Sequence, residues 1–154
     1  MRKTTWVTKQ EGIEEVINKA NTCSLAMIDV DGNPYVVIMN FGYQDGYLYL
    51  HGDSKGKKMD ALRKNPNVSI MLSADHNLFF QDKSVACSYG LNYRSVSIQG
   101  SVEMVEEYDE KVNALNLVMA KFTDIKFSYN APAVNNVSVF RVKLDDVKCK
   151  VYGS

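Results

Sequence analysis

The stretch from Cys23 to His51 constrains this chain more than any other. Cys23, Leu25 and Met27 alternate with other side chains, Asp31-Gly32 turns the chain, and Pro34 opens a second apolar run ending at Phe41. Gly42-Tyr43-Gln44-Asp45-Gly46 supplies another turn, and Tyr47 to His51 alternates again. Period-two runs joined by loops this short pair with their sequence neighbours, which predicts an antiparallel meander of three strands.

Helical periodicity appears on either side. Thr8-Lys9-Gln10-Glu11 fits a capping box, and Ile13, Val16, Ile17 and Ala20 follow at the 3.6 spacing, predicting a helix over 9–20. Residues 54–64 read as a short helix stopped by Asn65-Pro66, and Glu107 to Phe122 as a third. Val68 to Leu72, Tyr93 to Val105 and Val137 to Leu144 read as further strands, with a bulge or bend expected at Gly100 and a polar loop over 73–84. The 154 residues, with no repeat or linker, suit one domain spanning 1–154. Six or so antiparallel strands with a few helices make an α+β fold, mainly β, and a small closed barrel would hide the strand edges.

Charge and apolar patterning exclude several functions. The 18 basic residues are matched by 18 acidic ones, so no nucleic-acid partner is expected. The longest apolar run, Tyr35 to Met39, falls far short of the roughly 18 residues a membrane span needs. No apolar stretch follows the basic start Met1-Arg2-Lys3, so a cytoplasmic protein is expected. Cys23, Cys87 and Cys149 have no metal or redox spacing and read as reduced thiols. Phosphate-loop, nucleophile-elbow, zinc-helix and dinucleotide motifs are all missing, so any difficult chemistry would fall to a cofactor.

Four places break their local pattern. Ser54-Lys55-Gly56-Lys57-Lys58 puts three lysines at a helix start, where the dipole is already positive. A bound phosphate would reverse that repulsion; a solvated basic helix is the plainer reading. Asn40 shares a face with Val36 and Ile38, and a buried amide there could serve a planar heterocycle or a neighbouring backbone. His51 ends a strand six residues before Lys57, as a ligand contact or a structural histidine. Arg94 falls on the apolar side with Val96 and Ile98, opposite Ser95, Ser97 and Gln99. It therefore needs a carboxylate or a ligand phosphate, unless it snorkels to water. His76 reads as surface.

Asp31-Gly32-x-Pro34-Tyr35-Val36-Val37-x-x-Asn40-Phe41-Gly42-Tyr43, Leu48-Tyr49-Leu50-His51, Gly56-Lys57-Lys58 and Tyr93-Arg94-Ser95-Val96 together resemble the FMN-binding split barrels. The similarity runs from about residue 8 to 150 and is greatest to the branch related to pyridoxamine 5′-phosphate oxidase that includes the 5-nitroimidazole resistance reductases. It implies a six-stranded antiparallel split β-barrel of Greek-key topology with peripheral helices, and a homodimer with two flavins at the subunit interface. Val37, Ile38, Met39 and Asn40 would lie against the isoalloxazine. His51, Lys57, Lys58, Arg94 and Ser95 would serve the phosphate end. FMN is the implied cofactor, with FAD as an alternative and NAD(P)H as a possible donor. The chain departs from the family in carrying Ile38 where proline is common. It also has Tyr35 and Asn40 where the true oxidases place basic residues. Reduction of a small planar electron-poor acceptor, a nitroaromatic or quinone, is therefore favoured over pyridoxamine phosphate oxidation. The alternative is a flavin-binding sensor, carrier or storage module without turnover.

Overall fold

The computed structural model describes residues 3–153, so Met1, Arg2 and Ser154 of the expected domain and basic start lie outside the described residues. In chain order the elements are β1 (Thr4–Val7), α1 (Gln10–Lys19), β2 (Cys23–Ile28), β3 (Pro34–Met39), β4 (Gly42–Gln44) and β5 (Tyr47–Asp53). They continue with α2 (Lys57–Lys64), β6 (Asn67–Phe79), β7 (Gly90–Val105), α3 (Tyr108–Met119), α4 (Ala131–Asn136), β8 (Val137–Lys143) and β9 (Asp146–Tyr152). The expected α+β, mainly β class is present, but the described residues form nine strands rather than six.

All pairings are antiparallel, in the order β3-β2-β6-β7-β8-β5-β4, with β9 on β7 and β1 on β9. Hydrogen bonds do not close the sheet, which corrects the closed barrel expected from its edges. Instead the chain passes from one edge, β3, to the other, β4, through Asn40 and Phe41 alone.

The long β7 organises the sheet. One side pairs with β6 over its length, while the other pairs with β9 from Tyr93 to Gln99 and with β8 from Val102 to Val105. Gly100 sits at the exchange, where a Cβ would come 2.9 Å from the Val142 side chain. The register with β6 runs unbroken past Gly100; the irregularity lies instead between Ala74 and Asn77 of β6. There Asp75 and His76 bulge out opposite the single residue Tyr93, and Asp75 takes a left-handed φ of 57°.

Most of the expected 73–84 loop is strand, because β6 and β7 keep pairing beyond the barrel wall despite their polar side chains. The capping box at Thr8 does not form: α1 starts one turn-position later, with Lys9 as its uncapped N-cap. At its far end the Lys121 Nζ, lying over the Phe41 ring, donates to the carbonyls of Ile17, Asn18 and Ala20.

The main core joins Ile17 of α1 and Met59 of α2 to Leu25, Leu48, Leu50, Ile70, Ile98 and Phe140 of the sheet, all fully buried. Each such side chain contributes roughly 1.5–3 kcal/mol by leaving water. A smaller core, around Val105, Ala114 and Val139, seats α3 on β5 and β8.

Strand β3 reverses its expected orientation. Tyr35, Val37 and Met39 face the core, while Val36 and Ile38 are 60% and 75% exposed and Asn40 is exposed beside them. Apolar residues occupy both sides of this strand, so alternation alone could not choose the inward one; the buried amide expected at Asn40 is corrected accordingly. Across the outer face, Ile38, Ser24, Met71 and Ser97 form one row, and Val36, Ala26, Ser69 and Gln99 the next. The result is an outer face with small side chains on β2, Met71 standing out from β6, and Val36 and Ile38 along the β3 edge.

Candidate functional site

The open edge of β3 is the natural starting point. In the turn before it, the Asp29 N–H donates to the Asn33 carbonyl at 2.8 Å. Antiparallel bonding alternates, so residues 35, 37 and 39 bond β2 while Pro34, Val36 and Ile38 turn their backbone groups outward. Pro34, which has no N–H, suits such a position. Val36 and Ile38 each offer a donor and an acceptor to the edge of a flat ring.

Helix α2 starts alongside. Its N-cap, Gly56, has a φ of 113° and no side-chain cap, and a Cβ there would meet nothing within 4 Å. The first backbone N–H groups of the helix have no intrahelical partners. Lys57 extends over the Tyr35 ring, 4.2 Å from its centroid, and lies 3.8 Å from Asp29. The half-buried Lys58 folds the other way: its Nζ meets the Met39 thioether at 3.5 Å and fills the space where a Gly52 side chain would sit. Among the described residues no carboxylate pairs with Lys58. A half-buried ammonium held only by sulfur, a weak acceptor, is one that an incoming anion would satisfy.

His51 is near Lys58 but lies on the opposite face of β5 from Gly52, towards the smaller core. Burial, and then the Lys58 charge, push its pKa below the ordinary imidazole value. The fold thus favours neutral imidazole, while the unfolded chain protonates more readily. Stability is therefore present above the ordinary imidazole pKa and declines as pH falls below it. Lys58→Ala should raise the His51 titration midpoint part of the way back, since burial remains. An NMR titration showing no rise would remove Lys58 from its surroundings.

Arg94 and Ser95 lie on β7, three strands from β3 and therefore roughly 14 Å away at about 4.8 Å per strand. Arg94 is on the inner side as its alternation predicts, and its anions here are Glu15 of α1 at 3.3 Å and Asp75 at 3.5 Å. Ser95 points to the outer face, where it is buried among its neighbours. One protomer thus gathers Val37, Ile38, Met39, Lys57 and Lys58 around the β3 edge and holds Arg94 and Ser95 apart.

Sequence reasoning missed three parts of this region. Asp29 anchors the β2–β3 turn through the N–H groups of Asp31 and Asn33 and also approaches Lys57; an Asp two residues before Asp-Gly was its signal. Gly52 leaves the space that the end of the Lys58 chain occupies. His76 is partnered, its Nε2 lying 2.9 Å from the Ser73 Oγ. A cavity of about 630 Å³ opens on the same outer face, reaching from Ile38 and Ser24 to Ser73 and His76.

The three cysteines are free; Cys23 and Cys149 are buried, and burial pushes the Cys23 thiol up to about 12. Among the described residues, no group of His, Cys, Asp and Glu could hold a metal ion. No described helix is long and apolar enough to cross a membrane.

Comparison with known proteins bears on this arrangement. The family described as pyridoxamine 5′-phosphate oxidase matches over residues 9–151. A solved structure from Bacteroides thetaiotaomicron VPI-5482, a candidate 5-nitroimidazole antibiotic resistance protein, is 40% identical. It superposes with a TM-score of 0.87 over 99% of this chain and 90% of its own. A FAD- and heme-binding protein from Mycobacterium smegmatis shares the fold at 17% identity, with a TM-score of 0.82 over 95% of this chain and 72% of its own. So does a FAD-binding protein from Mesorhizobium loti, at 22% identity and 0.67, over 100% of this chain and 98% of its own. No curated protein is similar enough to count as a match.

Proposed function

Because the chain belongs to the pyridoxamine 5′-phosphate oxidase family, we propose that it is a flavin-dependent oxidoreductase: one split-barrel domain of Greek-key topology that works as a homodimer in the cytoplasm. FMN is the cofactor this site fits, and the acceptor is a small planar electron-poor molecule such as a nitroaromatic or quinone. The observation that carries the reading is the uncapped start of α2, with its unpaired Lys58, set against the open edge of β3.

The residues present suit a ring bearing a phosphate. The N–H groups at the start of α2, with Lys57 and Lys58, would bind the phosphate by charge-assisted hydrogen bonds. Val36 and Ile38 would meet the polar edge of the ring through their backbone, and Val37 and Met39 would support the strand from the core side. Asn40, exposed just beyond, can rotate its amide to complete that edge. The neutral His51 would accept a hydrogen bond near the phosphate end. Ser95, on the outer face three strands away, would reach a flavin on β3 from the partner copy, whereas Arg94 on the inner side keeps Glu15 and Asp75 as its anions. A bound flavin supplies two-electron redox chemistry, with NAD(P)H as the proposed donor. The protein's own part is binding, orientation and exclusion of water.

The direct test is the colour of the purified protein. A yellow solution releasing FMN on heating is the expected result; a protein that stays colourless after soaking with FMN and FAD would sink the proposal. A non-catalytic flavin carrier is the second reading, favoured because the charged groups at the β3 edge, Lys57, Lys58 and Asp29, are taken up by the phosphate site and the β2–β3 turn. Steady NAD(P)H oxidation in the presence of a quinone distinguishes the enzyme from the carrier.

A further inference from the structure

We propose that the cavity between the end of α1, β2 and the β6 bulge is the acceptor pocket, that it takes a neutral quinone, and that His76 delivers a proton to the quinone oxygen. The proposal rests on the flavin reading above, because the electrons must come from a reduced flavin.

The pocket holds about 630 Å³, room for one or two fused rings. It begins at Ile38, which is exposed on the proposed ring-binding strand, so a molecule within it would lie beside that strand. Ile38 and Met71 provide apolar surface for a ring face. Thr22, Ser24 and Ser73 bring hydroxyl donors suited to carbonyl oxygens.

Charge selects the class of ligand. Lys19 lies 3.2 Å from Asp75 and 3.3 Å from Glu15, and Arg94 contacts the same two carboxylates. These two cations and two anions satisfy one another, so none of the four offers an unmatched charge to an ionic substrate.

The bulge provides the proton. The extra residue in β6 breaks the alternation, so His76 turns back towards Ser73 and contacts its hydroxyl instead of continuing the ladder. Reduction of a quinone to a hydroquinone takes two electrons and two protons. Hydride from the reduced flavin brings both electrons and one proton. The other comes from the His76 imidazolium: its N–H bond breaks, an O–H bond forms on the quinone, and the neutral imidazole left behind regains a proton from water. Its exposure leaves that return path open.

The experiment follows anaerobic reoxidation of the reduced, flavin-loaded protein by duroquinone and, in parallel, by ferricyanide, which takes an electron and no proton. Duroquinone's four methyl groups block addition of the exposed Cys87 thiol. His76→Gln should slow the quinone reaction by about a hundredfold and leave the ferricyanide reaction within about twofold, the loss typical of a missing proton donor. Flavin affinity should be unchanged. Equal quinone rates in wild type and variant would overturn the proposal, and so would an equal loss with both oxidants. A second readout needs no turnover: duroquinone added to the oxidised protein should shift the His76 ring resonances. No shift up to the solubility limit also overturns it. Should the protein hold no flavin, the function proposed above fails, while the same NMR titration on the flavin-free chain still decides whether quinone occupies the pocket.

Discussion

Replacing Lys57 and Lys58 together by alanine should weaken FMN binding by at least about a hundredfold and leave riboflavin binding unchanged. Hydrogen bonds to a charged group contribute roughly 1.5–3 kcal/mol each, and about 1.4 kcal/mol is a factor of ten. The folded protein without flavin loses little in exchange. The Lys57–Asp29 contact is 3.8 Å long with an exposed lysine, a geometry worth little in water. Asp29 keeps its two backbone donors. Lys58 gives up only a thioether contact. Two cations also leave the positive end of a helix dipole, so thermal stability without flavin should stay level or rise slightly. Parallel titrations with FMN and riboflavin decide the matter: unchanged FMN affinity would remove the phosphate from this helix.

Ile38→Asp should split the proposed homodimer into folded single chains and empty it of flavin. Ile38 and Val36 stand on an outer face that also exposes Met71 and Trp6, more apolar surface than a lone soluble barrel needs. A two-fold interface buries the same position twice, so one substitution places two carboxylates in it. Each uncompensated buried ion costs several kcal/mol. The dissociation constant should therefore rise more than about a thousandfold, the equivalent of roughly 4 kcal/mol. The single chain should still fold, because this side chain touches water in the isolated protomer. Light scattering should drop from twice the 17.3 kDa chain mass to that mass. A variant that stays dimeric would place the interface elsewhere.

How legible these features were depended on whether local chemistry had rivals. The β2–β3 and β4–β5 turns were readable because Gly32 and Gly46 adopt left-handed φ values of 86° and 79°, which few other residues tolerate. Strand β9 was missed, although Val147, Cys149 and Val151 alternate inward. Lys148 and Lys150 between them resemble a solvated tail until β7 pairs with the backbone. The orientation of β3 was undecidable locally, with apolar side chains on both sides. Arg94 was read as needing a carboxylate or a ligand phosphate, or else as snorkelling to water. The carboxylates that meet it come from residues 15 and 75, a contact that only the packing of α1 on the β6–β7 pair creates. The lysines at α2 were the clearest of the site signals, since a helix dipole gives charge at its start a definite sign.

The passage from β3 to β4 limits how this protein can breathe. Only Asn40 and Phe41 separate the two ends of the sheet, so those ends can part by no more than about 10 Å before the link is taut. Phe41 is fully buried under the Lys121 ammonium and acts as a bolt on that link. Parting the seam therefore means extracting an aromatic ring from the core, a cooperative local unfolding event rather than an elastic flexing of the wall. A molecule lying along β3 would depart sideways, off the strand and past whatever covers the outer face, while the β3–β4 seam behind it stays together.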